Sequence, residues 1–233
     1  MLGSAQVVHH QNMYARYLES LVERGIHWLD VGAGSQLHDG WLCAGQAELA
    51  ARAKLLAGCD PHVEHLNANP FLTVRVGGSA YSLPFRENSF QLVTANMVLE
   101  HIEQPIQMFN EIRRVLCEQG RFLFVTPSKA NPIIKFAATF LHPSVRRTLA
   151  SIVERREEDH VFLTHYKANS VEDIEGICSR SGFTVERLET FYTVPFTSQI
   201  PVLRNIESAG VSALQALTGN RYGTNLIGVL RAN

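Results

Sequence analysis

Residues Asp30 to Gly34 read Asp-Val-Gly-Ala-Gly, which places a carboxylate and two glycines at the end of a short apolar run. Glycines at a strand-to-helix turn let the backbone approach a ligand closely and leave N–H groups free to bind it. A dinucleotide would require a third glycine, but that position holds Leu37, which disfavours a pyrophosphate. The residue types and their spacing therefore predict a nucleotide-like ligand without a pyrophosphate.

A second carboxylate, Asp60, ends the later apolar run LLAGCD. At this place in nucleotide-binding sheets, an acid accepts hydrogen bonds from two ribose hydroxyls. A ribose without a pyrophosphate indicates an adenosine-type ligand. Two alternatives remain at this point: the glycines serve only a tight turn, and Asp60 serves only as a helix cap.

Short apolar strands that alternate with helices must position these residues. The strands are predicted at 27–31, 55–60, 72–76, 90–96 and 121–127, with helices at 43–54 and 105–116 between them. Such alternation predicts a parallel sheet with helices on both faces. In a sheet of this kind ligands bind beyond the carboxyl ends of the strands, where Asp30 and Asp60 lie.

The alternation ends after Pro127. A helical, partly charged stretch is predicted from about 131 to 156, and a helix at 169–182 precedes two further strands at 183–192 and 224–232. Ahead of the first strand, the apolar spacing in YARYLESLVERG predicts an amphipathic helix that ends at Gly25.

Composition limits the class of protein. The chain has 233 residues, of which 45% are hydrophobic, and a formal net charge of -1, so we expect one domain with a full core and no general attraction to nucleic acid or anionic lipid. Four cysteines without a Cys-x-x-Cys pair favour reduced thiols and a cytoplasmic protein. Neither a signal peptide nor a membrane-spanning run is recognisable, which predicts no stable membrane insertion.

Five segments, taken in order, resemble the class I S-adenosylmethionine-dependent methyltransferases: LDVGAG, AGCDP, GGSAYSLPFRENSFQLV, VLEHI and EIRRVLCEQGRFLFVTPS. The resemblance is strong over residues 26–128 and loose elsewhere. It implies an α/β fold with a doubly wound, Rossmann-like sheet of seven strands, mostly parallel with an antiparallel last strand, and helices on both faces. It also implies one domain over residues 1–233, with a helical lid inserted after strand five at about 129–168.

The resemblance further implies that S-adenosylmethionine is the cofactor and S-adenosylhomocysteine the product. The cofactor-binding residues that it implies are Asp30, Gly32, Ala33, Gly34, Asp60, Pro61, Ser79, Ala80, Asn96 and Met97. The glycine turn would contact the methionine and ribose portions, and the backbone at the end of strand four would face the reacting sulfur. Ser79 and Ala80 stand where the family usually has Asp-Ala at the adenine edge, so that hydrogen bond would be weaker or water-mediated.

Methyl transfer is an in-line displacement in which the protein mainly aligns the reactants. His101 is the candidate general base for a hydroxyl acceptor, since it follows strand four and its pKa can lie near neutrality. The alternative is a structural histidine behind the cofactor pocket. His165 and Tyr166 are secondary candidates from the segment that would cover the site.

The segment MVLEHIEQP is similar to the Glu-x-x-Glu-His element of metal-dependent relatives, in which two glutamates and a histidine help to hold a divalent ion. The first glutamate position holds Met97, which leaves only Glu100 and His101. We therefore predict no required metal. His62 and His65 have the spacing of a metal pair, but we interpret them as residues of a solvated helix face.

The predicted acceptor is a small molecule, methylated on oxygen: a metabolite, a sugar or a lipid-linked compound. The apolar segment 132–141 would be a lid, a membrane-contacting surface or an ordinary buried helix. Two other hypotheses stay open, a methyltransferase acting on a nucleic acid or protein and a non-catalytic protein that kept the fold. The near-neutral charge speaks against nucleic acid, and a homodimer is left open.

Overall fold

One mixed sheet forms the centre of the protein in a computed structural model that describes residues 10–37, 43–129, 163–193, 210, 213, 216–217 and 222–233. Its strands are β1 (His27–Val31), β2 (Leu55–Asp60), β3 (Val74–Gly77), β4 (Phe90–Asn96), β5 (Leu116–Pro127), β6 (Phe183–Phe191) and β7 (Asn225–Ala232). They lie in the order β3-β2-β1-β4-β5-β7-β6. The five strands β1 to β5 pair in parallel, and β7 is antiparallel to both β5 and β6.

Helices cover both faces of this sheet. They are α1 (His10–Leu21), α2 (Cys43–Arg52), α3 (Val63–Ala68), α4 (Pro105–Val115) and α5 (Val171–Ser181), with a 3-10 turn at Leu99–His101. Buried residues of α1, α2 and α3 pack into one apolar cluster, and those of α4 and α5 into the other. The first three helices therefore lie on one face and the last two on the opposite face.

Alternation along the strands supplies both clusters. In β5, Phe122 and Phe124 join the cluster of α4 and α5, whereas Leu123 and Val125 join the cluster of α1. Successive side chains of a strand point to opposite faces, so a strand that is apolar throughout is covered on both sides. Phe109 of α4 packs edge-on against Phe122, with ring centroids 5.5 Å apart.

The start of α5 is fixed by its sequence. Ser170 caps the helix, its hydroxyl accepts a hydrogen bond from the Asp173 N–H, and the Asp173 side chain accepts from the Ser170 N–H, which completes a capping box. Gly182 ends the helix at a φ of 69°, a left-handed conformation that favours glycine. The segment before the helix is held at the carboxyl end of the sheet by the His165 N–H, which donates to the Glu100 carbonyl at 2.7 Å, and by the Asn169 carbonyl, which accepts from the Lys129 N–H at 2.9 Å.

The structure confirms the predicted sheet, its parallel core and the antiparallel last strand, with shifted boundaries. Helix α1 ends at Leu21 rather than Gly25, and Gly25 instead bonds through its N–H to the Arg52 carbonyl, 2.8 Å away. Strand β5 begins at Leu116 because that residue already pairs with Phe90 of β4.

Several predictions fall on other parts of the chain. Residues 130–162 lie outside the described residues, and with them the helical stretch at 131–156, most of the lid at 129–168 and the apolar segment 132–141. The single-domain assignment stays a prediction. Within the described ranges, no helix combines the length and apolarity needed to cross a bilayer.

Candidate functional site

The glycine turn after β1 contains two glycines with different surroundings. Gly32 has a φ of 68°, and a Cβ added there would lie 2.4 Å from Val98 Cγ2. Gly34 has a φ of 47°, and a Cβ added there would meet no atom within 4 Å. Gly32 is thus required by the packing of the protein itself. Gly34 instead presents open backbone, as a ligand-binding turn requires.

Asp60 joins this turn to the end of β2. Its Oδ2 accepts a hydrogen bond from the Gly34 N–H at 3.2 Å, and its Oδ1 accepts from the His62 N–H at 2.8 Å. The side chain is buried, and each carboxylate oxygen can accept a further hydrogen bond. The structure therefore brings the glycine turn into contact with Asp60, although Gly34 and Asp60 are 26 residues apart in the sequence.

Asp30 ends a buried chain of hydrogen bonds on the α1 face of the sheet. The Trp28 indole N–H donates to Thr94 Oγ1 at 2.8 Å, and the Thr94 hydroxyl donates to Asp30 Oδ1 at 2.5 Å. Burial raises the pKa of Asp30 to about 7, with a further rise from the Asp60 charge, although the hydrogen bond from Thr94 acts in the opposite direction. Burial and then the Asp30 charge raise the pKa of the Tyr14 phenol.

The end of β4 holds the N-terminal helix in place. Asn96 and Gln11 of α1 exchange two side-chain hydrogen bonds, of 2.9 and 3.1 Å. Met97 follows with a φ of 57°, which is uncommon for a residue other than glycine, and its N–H donates to the Val125 carbonyl at 2.9 Å. The sequence predicted that the backbone at Asn96 and Met97 faces the reacting sulfur. The Asn96 side chain instead binds Gln11 of α1.

The predicted adenine edge lies beyond β3. Ser79 is exposed, and its Oγ accepts a hydrogen bond from the Tyr81 N–H at 3.2 Å. Ala80 is half-buried and packs against the core, and Pro61 is exposed. The Ser79 hydroxyl can still donate its proton. The predicted contact with the adenine edge, weaker than that of the usual Asp or water-mediated, stays a prediction.

His101 lies in the 3-10 turn after β4, with its side chain 24% exposed. Its Nδ1 is 3.1 Å from the Leu163 carbonyl oxygen, and its Nε2 is 3.9 Å from Glu100 Oε1. A carbonyl oxygen only accepts hydrogen bonds, so Nδ1 must carry the proton. The neutral ring then has its basic lone pair on Nε2.

Glu100 links three segments of the site. Its carboxylate is buried and accepts a hydrogen bond from the Thr126 hydroxyl at 2.9 Å. Its backbone carbonyl accepts from the His165 N–H at 2.7 Å and the Tyr166 N–H at 3.3 Å. The secondary candidates His165 and Tyr166 therefore lie beside the turn that carries His101.

Sequence reasoning missed several of these residues. Gln11, Thr94 and Thr126 carry no catalytic signature, and only their hydrogen bonds in the folded chain reveal them. The amphipathic pattern of α1 did place Tyr14 on an apolar face. Among the described residues, no group of three or more His, Cys, Asp or Glu side chains could hold a metal ion, and the absence of a required metal stays a prediction.

The sequence and fold match one family. Residues 29–124, which run from within β1 through β2, β3 and β4 into β5, match the family model described as "Methyltransferase domain". This match and the fold support a class I S-adenosylmethionine-dependent methyltransferase domain over these residues. The match and the fold imply S-adenosylmethionine as the cofactor. The open backbone at Gly34 and the lone pairs of the buried Asp60 carboxylate fit an adenosyl ligand.

Solved structures share this fold. A S-adenosylmethionine dependent methyltransferase from Mesorhizobium loti superposes with a TM-score of 0.59 at 20% identity, over 93% of this chain and 95% of the other. At that identity the similarity establishes the fold and not the substrate.

Curated relatives have quinone-pathway names. A demethylmenaquinone methyltransferase of Corynebacterium kroppenstedtii is 31% identical over 50% of this chain and 52% of its own length. A ubiquinone/menaquinone biosynthesis C-methyltransferase of Hahella chejuensis is 33% identical over 38% of this chain and 36% of its own. The matches thus span about half or less of these relatives.

Proposed function

We propose that this methyltransferase domain transfers a methyl group from S-adenosylmethionine to a small, hydroxylated acceptor. The observation that carries the proposal is the meeting of the open Gly34 backbone, the Asp60 carboxylate and the His101 turn at one edge of the sheet. When bound, the cofactor supplies an electrophilic methyl group on a sulfonium. Residues of the chain must bind the cofactor, orient the acceptor and remove its proton.

Binding and orientation come first. Asp60 would accept hydrogen bonds from the ribose hydroxyls, with Pro61 and Ala80 beside the adenine, while Ala33 and Gly34 bring backbone close to the ligand. The ten cofactor-binding residues implied by the resemblance stay a proposal. The contact from Gly34 N–H to Asp60 supports it, since the turn and the carboxylate then act as one unit.

Proton removal follows. His101 has an exposed fraction large enough for an acceptor to reach, and its tautomer places the lone pair on Nε2. His101 Nε2 would accept the proton as the acceptor O–H bond breaks. The electron pair left on the acceptor would displace the sulfonium sulfur from the methyl carbon, so that the carbon–sulfur bond breaks, its electron pair goes to sulfur and S-adenosylhomocysteine leaves. A positioned base of this kind contributes roughly 10²- to 10⁴-fold.

The second part of the proposal concerns which atom of the acceptor receives the methyl group. Our sequence-based prediction was oxygen, but the relatives are named for demethylmenaquinone and for C-methylation. A deprotonated hydroxyl on a ring carries negative charge on oxygen and on the neighbouring ring carbon, so the same base can start either outcome. Methylation on carbon then requires that this carbon lose its proton and the oxygen regain one, which restores the hydroxylated aromatic ring. The relatives favour the ring carbon, and we propose a hydroxylated ring, such as a reduced naphthoquinone, as the class of acceptor.

The test is a transfer assay with methyl-labelled S-adenosylmethionine and two probes, a reduced naphthoquinone and a catechol. Labelled product on either supports the function, and mass spectrometry with NMR distinguishes carbon from oxygen methylation. Calorimetry with the cofactor is run in parallel. Cofactor binding without transfer to any small acceptor, but with transfer to protein or nucleic acid, would favour a macromolecular substrate. No cofactor binding would leave the non-catalytic alternative.

A further inference from the structure

A second directional chain of hydrogen bonds ends on Glu100. Asn169 Nδ2 donates to Thr126 Oγ1 at 2.6 Å, and the Thr126 hydroxyl donates to Glu100 Oε2 at 2.9 Å. All three side chains are buried, with Asn169 and Thr126 fully so. A hydroxyl has one proton, so the donation from Asn169 commits that proton to the carboxylate. The chain therefore holds Glu100 as an acceptor.

The far end of this chain is anchored to the cap of α5. Asn169 Nδ2 also donates to the Pro127 carbonyl at 2.9 Å, and the Asn169 N–H donates to Asp173 Oδ2 at 3.2 Å. Lys129 in turn pairs with Asp173 at 2.5 Å. Rotation of the Glu100 carboxylate would break the buried hydrogen bond from Thr126, whose hydroxyl is itself held by Asn169, and would leave that hydroxyl without its acceptor, which is costly. Its other oxygen, Oε1, is thereby fixed on the side of His101.

We propose that Glu100 is a positioning residue that stabilises the proton taken up by His101 during methyl transfer. This rests on the proposed function. The Leu163 carbonyl fixes Nδ1–H on one side of the ring, and Glu100 Oε1 lies 3.9 Å from Nε2 on the other. When the acceptor gives its proton to Nε2, the ring becomes a cation beside a buried carboxylate, and the low local dielectric strengthens their attraction.

Among the residues that the structure describes, no other charged group around the turn replaces Glu100. The titratable side chains of the elements packed here are Glu100 and Glu103 on the turn segment, His165, Tyr166 and Lys167 on the covering segment, and the Lys129–Asp173 pair. Glu103 and Lys167 are exposed, where charges act weakly. The Lys129–Asp173 pair neutralises itself. Glu100 is the buried carboxylate at ion-pair distance from the ring among the described residues.

The test measures His101 directly by nitrogen NMR, with its resonances assigned by their loss in His101→Gln. In the parent protein, the neutral ring should carry its proton on Nδ1. In Glu100→Gln the pKa of His101 should fall by about one unit, because the variant removes the negative charge and keeps the shape. Thr126→Val should lower it less, and Thr126→Ser, which keeps the hydroxyl, should leave it unchanged.

Kinetics supply the second readout. Glu100→Gln should lower kcat about tenfold or more with little change in cofactor affinity, and Thr126→Ser should match the parent. An unchanged His101 titration in a folded Glu100→Gln overturns the proposal, and so does a proton on Nε2 of the neutral ring. If Glu100→Gln does not fold, the pair Thr126→Val and Thr126→Ser decides in the same way. Absence of methyl transfer in the parent overturns the proposed function instead, because the titration does not depend on it.

Discussion

Gln11 and Asn96 form a reciprocal amide pair that ties the N-terminal helix to the end of β4. Each amide donates to the oxygen of the other, so both side chains have a fixed orientation. The Asn96 side chain thus holds α1 over the carboxyl end of the sheet, next to the site. Helix α1 also brings Tyr14 towards Asp30, so it forms part of the wall of the candidate cofactor site.

The amide pair predicts a measurable coupling. Gln11→Ala and Asn96→Ala should each lower the free energy of unfolding by about 1–2 kcal/mol, because each removes both hydrogen bonds of the amide pair. The double variant should lose less than the sum, by about 1 kcal/mol. Urea unfolding of the four proteins checks this, with Asn12→Ala, on the same helix, as the control. Additive losses would show that the pair is not formed in solution.

The two glycines of the turn should respond differently to alanine. Gly32→Ala places a Cβ against Val98 in addition to the strain of a positive φ, so its unfolding free energy should fall by more than about 2 kcal/mol. Gly34→Ala meets open space and should lose about 1–2 kcal/mol from strain alone.

Cofactor affinity should also distinguish Gly34→Ala from Gly32→Ala. Gly34→Ala should weaken S-adenosylmethionine binding well beyond its modest loss of stability, since the added methyl group occupies the open side of the turn. Calorimetry and thermal unfolding on the same samples test this. Parent-like cofactor affinity in Gly34→Ala would place the ligand elsewhere.

Asp60 is predicted to bind the ribose. Asp60→Ala removes the acceptor for the ribose hydroxyls and also the bond from the Gly34 N–H that orders the turn, so cofactor affinity should fall about tenfold to hundredfold. Asp60→Asn keeps the shape and one acceptor oxygen and should lose less. Calorimetric titration of both variants gives the comparison. Equal binding by the parent and Asp60→Ala would contradict the assigned site.

Much of this site was predictable from the sequence because its parts are local patterns at strand ends. The glycine turn and the acid after β2 are recognised by residue type, and the sheet order then brings Gly34 and Asp60 into contact. The threonine chains were not predictable. Thr94 and Thr126 resemble ordinary strand residues, and their partners come from other strands and from the segment before α5. Sequence spacing does not encode such contacts.

Asp30 should make stability depend on pH. Its pKa is raised to about 7 in the folded protein, so between about pH 4 and pH 7 the folded state holds a proton that the unfolded state has lost. The contribution of Asp30 to stability is therefore fully present below about pH 4 and is lost as the pH rises to about 7, by about 4 kcal/mol.

Asp30→Asn should remove this slope. Its stability relative to the parent should rise as the pH increases from about 5 to about 8, as measured by urea unfolding at several pH values. Thr94→Val is the matched control, since it keeps the carboxyl group and removes the hydrogen bond that lowers the pKa. That variant should retain the slope and extend it to higher pH. Parallel curves for the parent and Asp30→Asn would show that Asp30 ionises normally.

His101 is the residue on which turnover should depend most. His101→Ala removes the Nε2 base, and kcat should fall roughly 100-fold or more, whereas affinity for the cofactor should stay within about twofold because none of the contacts at Gly34 or Asp60 involves this ring. His65→Ala is the control, since this histidine lies on α3 with its ring 5.4 Å from that of His62. Steady-state kinetics and calorimetry on both variants check the result. If kcat is unchanged in His101→Ala, the histidine is structural and another group must take the proton.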